Sequence, residues 1–480
     1  MNAPRPPRRS LVLAGLALAL SACSLAPPLE VPEVAMPAVY KEALPPLEGQ
    51  WKEATPADGE ARGAWWSVFG DPVLSALVVE AGSANQNLAA AAARVEQSRA
   101  LVQTARAARL PRVDAGFGAA RTQPTNVIPG LPGGSDVPPY DLFQFDVAAS
   151  YEIDLFGRVR DSVRASQADL AAERALFESL KLSLQADVAR LYFLLRQTDA
   201  EIEVVQEAIR WRRETLRILE RRLAAGDIGE LDVVRARSEL ENARTDALTL
   251  ERARAQYEHA LAILLGRAPA AFALARAELA ASPPAIPAGL PSALLERRPD
   301  VAAAERRLAS ANARIGVAKA AFYPLLNLTA DAGVAASDIG DLFKWSARTW
   351  TLGPLAATLV TLPIFDGGRN RANLERAEAV LAEDAASYRQ TVLAAVGEVE
   401  DALVGLRTLA QQTQTVRVSQ ESSARAVAIA QRRYDAGATG YLDVIDAQRE
   451  ALSVDRLREQ ITGARLVTAV ALIRALGGGW

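Results

Sequence analysis

Apolar residues recur along this chain with two different periods. In long stretches they step by three and four: Ile202, Val205, Ile209, Leu216, Leu219 and Leu223 in one, Val392, Val396, Val399, Leu403 and Leu406 in another. That is the seam spacing of paired α-helices, so both stretches are predicted to form coiled coils. Elsewhere the period falls to two. Phe143, Phe145, Val147, Ala149, Tyr151 and Ile153 alternate with a more polar set running from Gln144 to Asp154. Val113, Ala115, Phe117 and Ala119 do the same, as do Leu326, Leu328, Ala330, Ala332 and Val334; Trp350 to Leu362 alternates less cleanly. Strands are therefore predicted at about 112–121, 142–154, 325–335 and 349–362. Each has the length that a tilted transmembrane strand needs. A half-buried soluble sheet shows the same alternation, so the pattern alone leaves the two open.

The order of these patterns occurs twice. The segment from Arg222 to Val233, with Gly226 and Asp232, returns as Arg433 to Val444, with Gly437 and Asp443, at an offset of 211. The same offset relates Gly157-Arg158 to Gly368-Arg369 and Leu265-Gly266 to Leu476-Gly477, while Pro111 pairs with Pro324 at 213. Each unit reads as helix, two strands, very long helix, tight turn, helix. The first helical stretch is predicted from about Val73 to Arg109, its partner from about Val301 to Phe322. Between Arg158 and Ala225 there is no proline and no glycine. A helix of that extent is roughly 100 Å long. The segment 369–436 is its counterpart, and Gly226 and Gly437 then supply the left-handed residue that closes a helix. The two repeats are placed at 65–280 and 281–480.

The first residues carry a different signal. Arg5, Arg8 and Arg9 precede an apolar run from Leu11 to Leu20 that is too short to cross a bilayer. Leu20-Ser21-Ala22-Cys23 then resembles a bacterial lipobox. Residues 1–22 read as a signal peptide, and Cys23 as a mature N-terminus carrying diacylglycerol and a fatty acyl chain. Ser24 resembles the outer-membrane sorting pattern rather than inner-membrane retention by Asp. Residues 23–64, rich in proline, read as an extended tether, with the folded body beginning around Trp51, Trp65 and Trp66. No other stretch is apolar enough for a helical span, so any further membrane crossing is made of strands.

Composition narrows the chemistry. The 57 acidic and 54 basic residues nearly cancel, which gives no reason to expect nucleic acid. One Cys and one His exclude a disulfide framework, a Cys/His metal cluster and a plausible Ser/His/Asp set. Lone His259 reads as an ordinary surface or packing residue, and neither an enzyme nor a bound cofactor is expected. Four strands per chain cannot close a barrel, and an open edge is not viable in lipid. Eight would leave an interior filled by side chains. Twelve, from three chains, leave a passage, so the fold class is mainly α with a small membrane β part: a C3 homotrimer in which a 12-stranded β-barrel continues as a long coiled-coil α-helical barrel.

Four further stretches carry a resemblance. They are Trp65-Trp66 to Pro72, Leu290 to Asp300 with its Arg297-Arg298-Pro299-Asp300, Ala313 to Pro324, and Leu362 to Arg369. With them the whole mature chain resembles the TolC-like outer-membrane factors, in the OprM/NodT-type lipoprotein branch. The resemblance implies a gated passive duct in the outer membrane, exporting drugs or other small toxic compounds. Its partners would be outer-membrane lipid, a periplasmic adaptor (membrane fusion) protein and an inner-membrane RND-type transporter. A type I secretion exit channel is the near alternative. A coiled-coil scaffold without a pore is the remote one, since it leaves the four alternating segments unaccounted for.

Function in such a duct lies in a gate. The turns at Gly226 and Gly437 are at the far end of the long helices from the strands and are predicted to form the periplasmic mouth. Asp443 and Asp446 are three apart, on one helix face, and in a trimer each becomes a ring of three carboxylates that favours cations. The resemblance implies that these positions form the constriction. The first repeat keeps Asp232 but has Arg235 where the second has Asp446, which allows an inter-repeat Asp–Arg contact. Acidic residues in a first turn also suit the helix dipole alone. Gly226, Asp227, Gly437 and Ala438, with Arg222 and Arg433 close by, are predicted adaptor-contacting tips. The same residues equally suit turn chemistry and solvated charge.

Overall fold

A computed structural model describes residues 24–35, 40–42, 63–123, 138–279, 284, 297–352 and 360–478. The expected signal peptide, Cys23, most of the tether and Trp51 lie outside these residues. Helices make up most of what is described. Asp71 opens α1 (Pro72–Ala84), its carboxylate accepting the N–H groups of Val73 and Leu74 at 2.8 and 3.0 Å. The single helix expected over 73–109 is two helices. Asn85 interrupts it with an extended backbone, and its side chain accepts the Leu88 N–H at 3.0 Å, capping α2 (Gln86–Ala107). The same side chain donates to the Leu264 carbonyl at 2.9 Å, a tertiary bond that no local pattern announces.

The later helices come in matched pairs. α3 (Arg158–Ala224) and α6 (Arg369–Asp435) have 67 residues each, and α4 (Glu230–Leu264) and α7 (Tyr441–Ala475) have 35 each. α5 (Pro299–Ala320) has the 22 residues of α2. Among the described residues no helix is long and apolar enough to cross a membrane.

The chain forms two compact units, and they cut across the duplication. Unit 1 takes Met1–Pro32, Val95–Glu173 and Ala304–Tyr388; unit 2 takes Glu33–Arg94, Arg174–Ala303 and Arg389–Trp480. Each contains chain from both repeats.

Unit 1 holds the sheet. β1 (Arg112–Thr122), β2 (Tyr140–Ile153) and β3 (Leu325–Ala336) pair antiparallel in that order. β4 (Arg348–Leu352) and β5 (Val360–Thr361) pair with successive parts of β3 on its other side. They are the ends of the stretch expected at 349–362, whose middle, 353–359, lies outside the described residues. The register sorts the side chains by face, because directly opposed residues of paired strands point the same way. On one face lie Val113, Ala115, Phe117 and Ala119, then Phe143 to Ile153 at every second position, then Leu326 to Val334 likewise. All are apolar. On the other face lie Asp114, Gly116 and Gly118, then Gln144, Asp146, Ala148, Ser150 and Glu152, then Asn327, Thr329, Asp331 and Gly333. The apolar face is not covered: Val113, Phe117, Phe145, Val147, Leu328 and Trp350 are all exposed. The outer edges of β1 and β4 pair with no strand among the described residues.

Unit 2 holds the main apolar core. Trp65, Trp66, Phe69, Leu74 and Leu77 pack against Leu184, Val188, Phe193, Leu261, Leu466 and Ile473. Phe69 and Phe193 meet at a tilt of 57° with 4.9 Å between ring centres, and the Tyr192 hydroxyl donates to Asp71 at 2.6 Å. The coiled-coil seam is buried where the three-four spacing puts it: Ile202, Val205, Ile209 and Leu219 in α3 and Val392 and Val399 in α6.

Candidate functional site

Within unit 2, the two helix–turn–helix hairpins close in the same way. Gly226 and Gly437 have φ of +81° and +70°, which their lack of a Cβ permits. The Asp227 N–H donates to the Arg222 carbonyl at 2.9 Å and the Ala438 N–H to that of Arg433 at 2.8 Å. Both turns are thus built to end a helix cleanly.

Behind the turns, Leu219, Val233, Ala236, Tyr434, Tyr441, Val444 and Ile445 form a small core. Tyr434 and Tyr441 lie 5.4 Å apart, and the Arg222 guanidinium sits 5.4 Å from the Tyr434 ring, a cation–π contact. Burial pushes the Tyr441 hydroxyl up to about 12, so the phenol keeps its proton through the neutral range. The aromatic pair belongs to the second repeat alone: Leu223 and Glu230 stand at the matching positions of the first.

One helical turn further from the hairpins, a charged cluster joins α4 to α7. Glu239 is buried, and its carboxylate accepts Arg449 Nε at 3.0 Å as well as Arg449 Nη2. Buried Arg212 adds Nη1 to the Glu239 carbonyl at 2.8 Å and lies 3.5 Å from its carboxylate. Burial pulls the Arg212 guanidinium below its usual range, with the like charge of Arg449 acting in the same sense. Seven residues on, Arg456 pairs with Asp246 at 3.4 Å and approaches buried Glu201 at 3.7 Å. Arg212, Glu239, Asp246, Arg449 and Arg456 line a cavity of about 480 Å³.

The predicted gate residues enter this arrangement unevenly. Asp446 is exposed and lies 3.5 Å from Arg449 Nη1, so Arg449 bridges Asp446 to Glu239. Asp443 is exposed and Asp232 half-buried, both in the first turn of their helices. Arg235 is half-buried and forms no ion pair among the described residues. Within the chain, ion pairs between the repeats run through Glu239–Arg449 and Asp246–Arg456. Gly226, Asp227, Gly437, Ala438 and Arg433 are exposed at the tips. A readable signal for the missed pairs existed: acids spaced by seven on α4 and arginines spaced by seven on α7, the flanking charges of a coiled coil. Among the described residues no acidic, His or Cys cluster could hold a metal ion.

Comparison with known proteins agrees with this layout. Residues 77–267 and 290–478 each match the family model described as outer membrane efflux protein, with starts 213 and ends 211 positions apart. The toluene efflux pump outer membrane protein TtgF of Pseudomonas putida is 35% identical over 473 residues, covering 97% of this chain and 96% of that protein. The crystal structure of a membrane protein from Pseudomonas aeruginosa matches with TM-score 0.85 at 32% identity, covering 95% of this chain and 98% of its own. The CmeC outer membrane channel of Campylobacter jejuni matches with TM-score 0.83 at 27% identity, covering 95% of each chain.

Proposed function

The chain belongs to the outer membrane efflux protein family, and from that premise we propose that it is the passive exit duct of a tripartite efflux pump. The observation that carries the reading is the sheet, with a largely apolar face left uncovered, its charges Arg121, Asp141 and Arg348 gathered at one end, and two edges unpaired among the described residues. In water such a surface associates, and in lipid it must close. Three copies close twelve strands, apolar side to the bilayer and polar side to a water-filled lumen. The duct is anchored by acyl chains on Cys23. The hairpin tips at Gly226, Asp227, Gly437 and Ala438, with Arg222 and Arg433, meet a periplasmic adaptor that links the duct to an inner-membrane RND-type transporter.

Asp443 and Asp446 each form a ring of three carboxylates near the mouth and favour cations there. The Glu239–Arg449 and Asp246–Arg456 pairs hold the second hairpin against the first and so keep the mouth narrow. The cargo is drugs or other small toxic organic compounds, in keeping with the toluene efflux named for one relative. No covalent chemistry or resident cofactor is needed for this work. Light scattering of the detergent-purified protein tests the assembly. A mass of three chains per particle is expected, and a stable folded monomer would end the duct reading.

A further inference from the structure

The residue that follows Cys23 is held fast. The Ser24 hydroxyl donates to the carboxylate of Asp161, with the two oxygens at 2.9 and 2.8 Å. Asp161 is completely buried in the first turn of α3, and its other side-chain partner is Arg164, at 3.1 Å. Two residues further, the Ala26 N–H donates to Ser24 Oγ at 3.2 Å, and the Pro27 carbonyl accepts Nδ2 of buried Asn312 at 2.8 Å.

Gly316 of α5 lies between these bonds. A Cβ there would come within 2.3 Å of Asp161 Oδ2 and 2.9 Å of both the backbone nitrogen and Cβ of Ala26. Its backbone is ordinary helix, so the glycine serves space and not conformation. A glycine in a helix interior costs about 1 kcal/mol relative to alanine. The occupied groove gives that cost a physical reason.

We propose that Asp161, Asn312 and Gly316 form a receptor for the chain's own residues 24–27, and that it pins the lipid anchor at the junction of β2 and α3. The proposal rests on the acylation of Cys23. β2 ends at Ile153 and α3 begins at Arg158, so the groove lies where the strands give way to helix. One peptide unit, about 3.8 Å between Cα atoms, separates Ser24 from Cys23. The first four residues behind the anchor are thus a docked strap, the start of the segment expected to run as an extended tether. The groove also selects its occupant. A buried carboxylate needs donors, and a hydroxyl at position 24 supplies one. An aspartate there would set two carboxylates against each other. The fold and the outer-membrane sorting pattern therefore exclude the same residue.

Hydrogen exchange read by mass spectrometry, on the full mature protein in detergent, tests this. In the wild type the amides of 24–26 are expected to be protected, above all that of Ala26, which donates to Ser24 Oγ. In Ser24→Ala and Gly316→Ala they are expected to exchange at least about tenfold faster, the worth of a hydrogen bond to a charged group, while Ser24→Thr keeps protection. Exchange of β1–β3 and of α4 and α7 shows whether each variant is folded, and Ser24→Ala leaves every helix and strand unaltered. Wild-type amides at 24–26 exchanging at the free-chain rate, or variants folded and equally protected, would overturn the receptor. The mass of the same N-terminal peptide reports the acyl chains separately. A protected strap without them would overturn the anchoring role and leave the docking.

Discussion

The guanidinium of Arg298 donates Nε and Nη2 to the two oxygens of Asp300, at 3.0 and 2.6 Å, and Nη1 to Glu398 at 2.7 Å and to the Ala475 carbonyl at 3.1 Å. One buried side chain thus ties the start of α5 to α6 and to the end of α7, all within unit 2. The planar fork matters, because a lysine ammonium cannot serve Asp300 in two-pronged fashion while reaching the other two acceptors. Arg298→Lys is expected to lower stability by about 2 kcal/mol, and Arg298→Ala by about 3 kcal/mol or more, because Glu398 and the carbonyl lose their donor. Urea unfolding followed by circular dichroism measures both. The Arg-Arg-Pro-Asp run was legible in the sequence as a family signature, but its role was not: Glu398 and Ala475 are far away in the chain. Glu239 and Arg449 stand at seven-residue spacing from Asp246 and Arg456, but that these lines of charge meet across the repeats is a tertiary fact.

Whole elements were easier to read than single contacts. The long helices emerged from the absence of breakers and the three-four seam, and β1 to β3 from period two, because backbone hydrogen bonding and face burial are local in sequence. The interruption at Asn85 was not legible, since its reason is the distant Leu264 carbonyl. The turns make the contrast testable. Gly437 has φ +70° with open space around a notional Cβ, whereas Gly266 has φ +68° and a Cβ there would lie 2.4 Å from the Ala84 carbonyl oxygen. Gly437→Ala is expected to cost about 1 kcal/mol, from backbone strain alone. Gly266→Ala adds a clash with main chain that cannot step aside, and about 3 kcal/mol or more is expected. Equal losses in urea unfolding would show that the packing of Gly266 against α1 does not constrain the chain.

For the molecule as a whole, the duplication and the sheet carry most of the meaning. One chain offers a largely apolar face and two edges unpaired among the described residues, which a single copy leaves unsatisfied. The strands were legible in the sequence, since they follow from length and period, and the trimer proposed above rests on the four strands that one chain supplies. The sequence suggested a gate at Asp443 and Asp446, which remains a proposal, but not the bridge from Asp446 through Arg449 to Glu239, which depends on how α4 and α7 meet. In the proposed trimer, three copies of Asp446 around one axis would concentrate negative charge in a narrow, water-filled neck, where a pore selects by charge and width. Removing that carboxylate also frees Arg449 to pair with Glu239 alone. The measurement to make is single-channel conductance in planar bilayers, wild type beside Asp446→Ala. Small, cation-selective channels are expected from the wild type, with wider or less selective ones from the variant. Folded, inserted trimers whose conductance and selectivity are indifferent to the substitution would contradict the gate, and a folded protein that never inserts or conducts would contradict the duct itself.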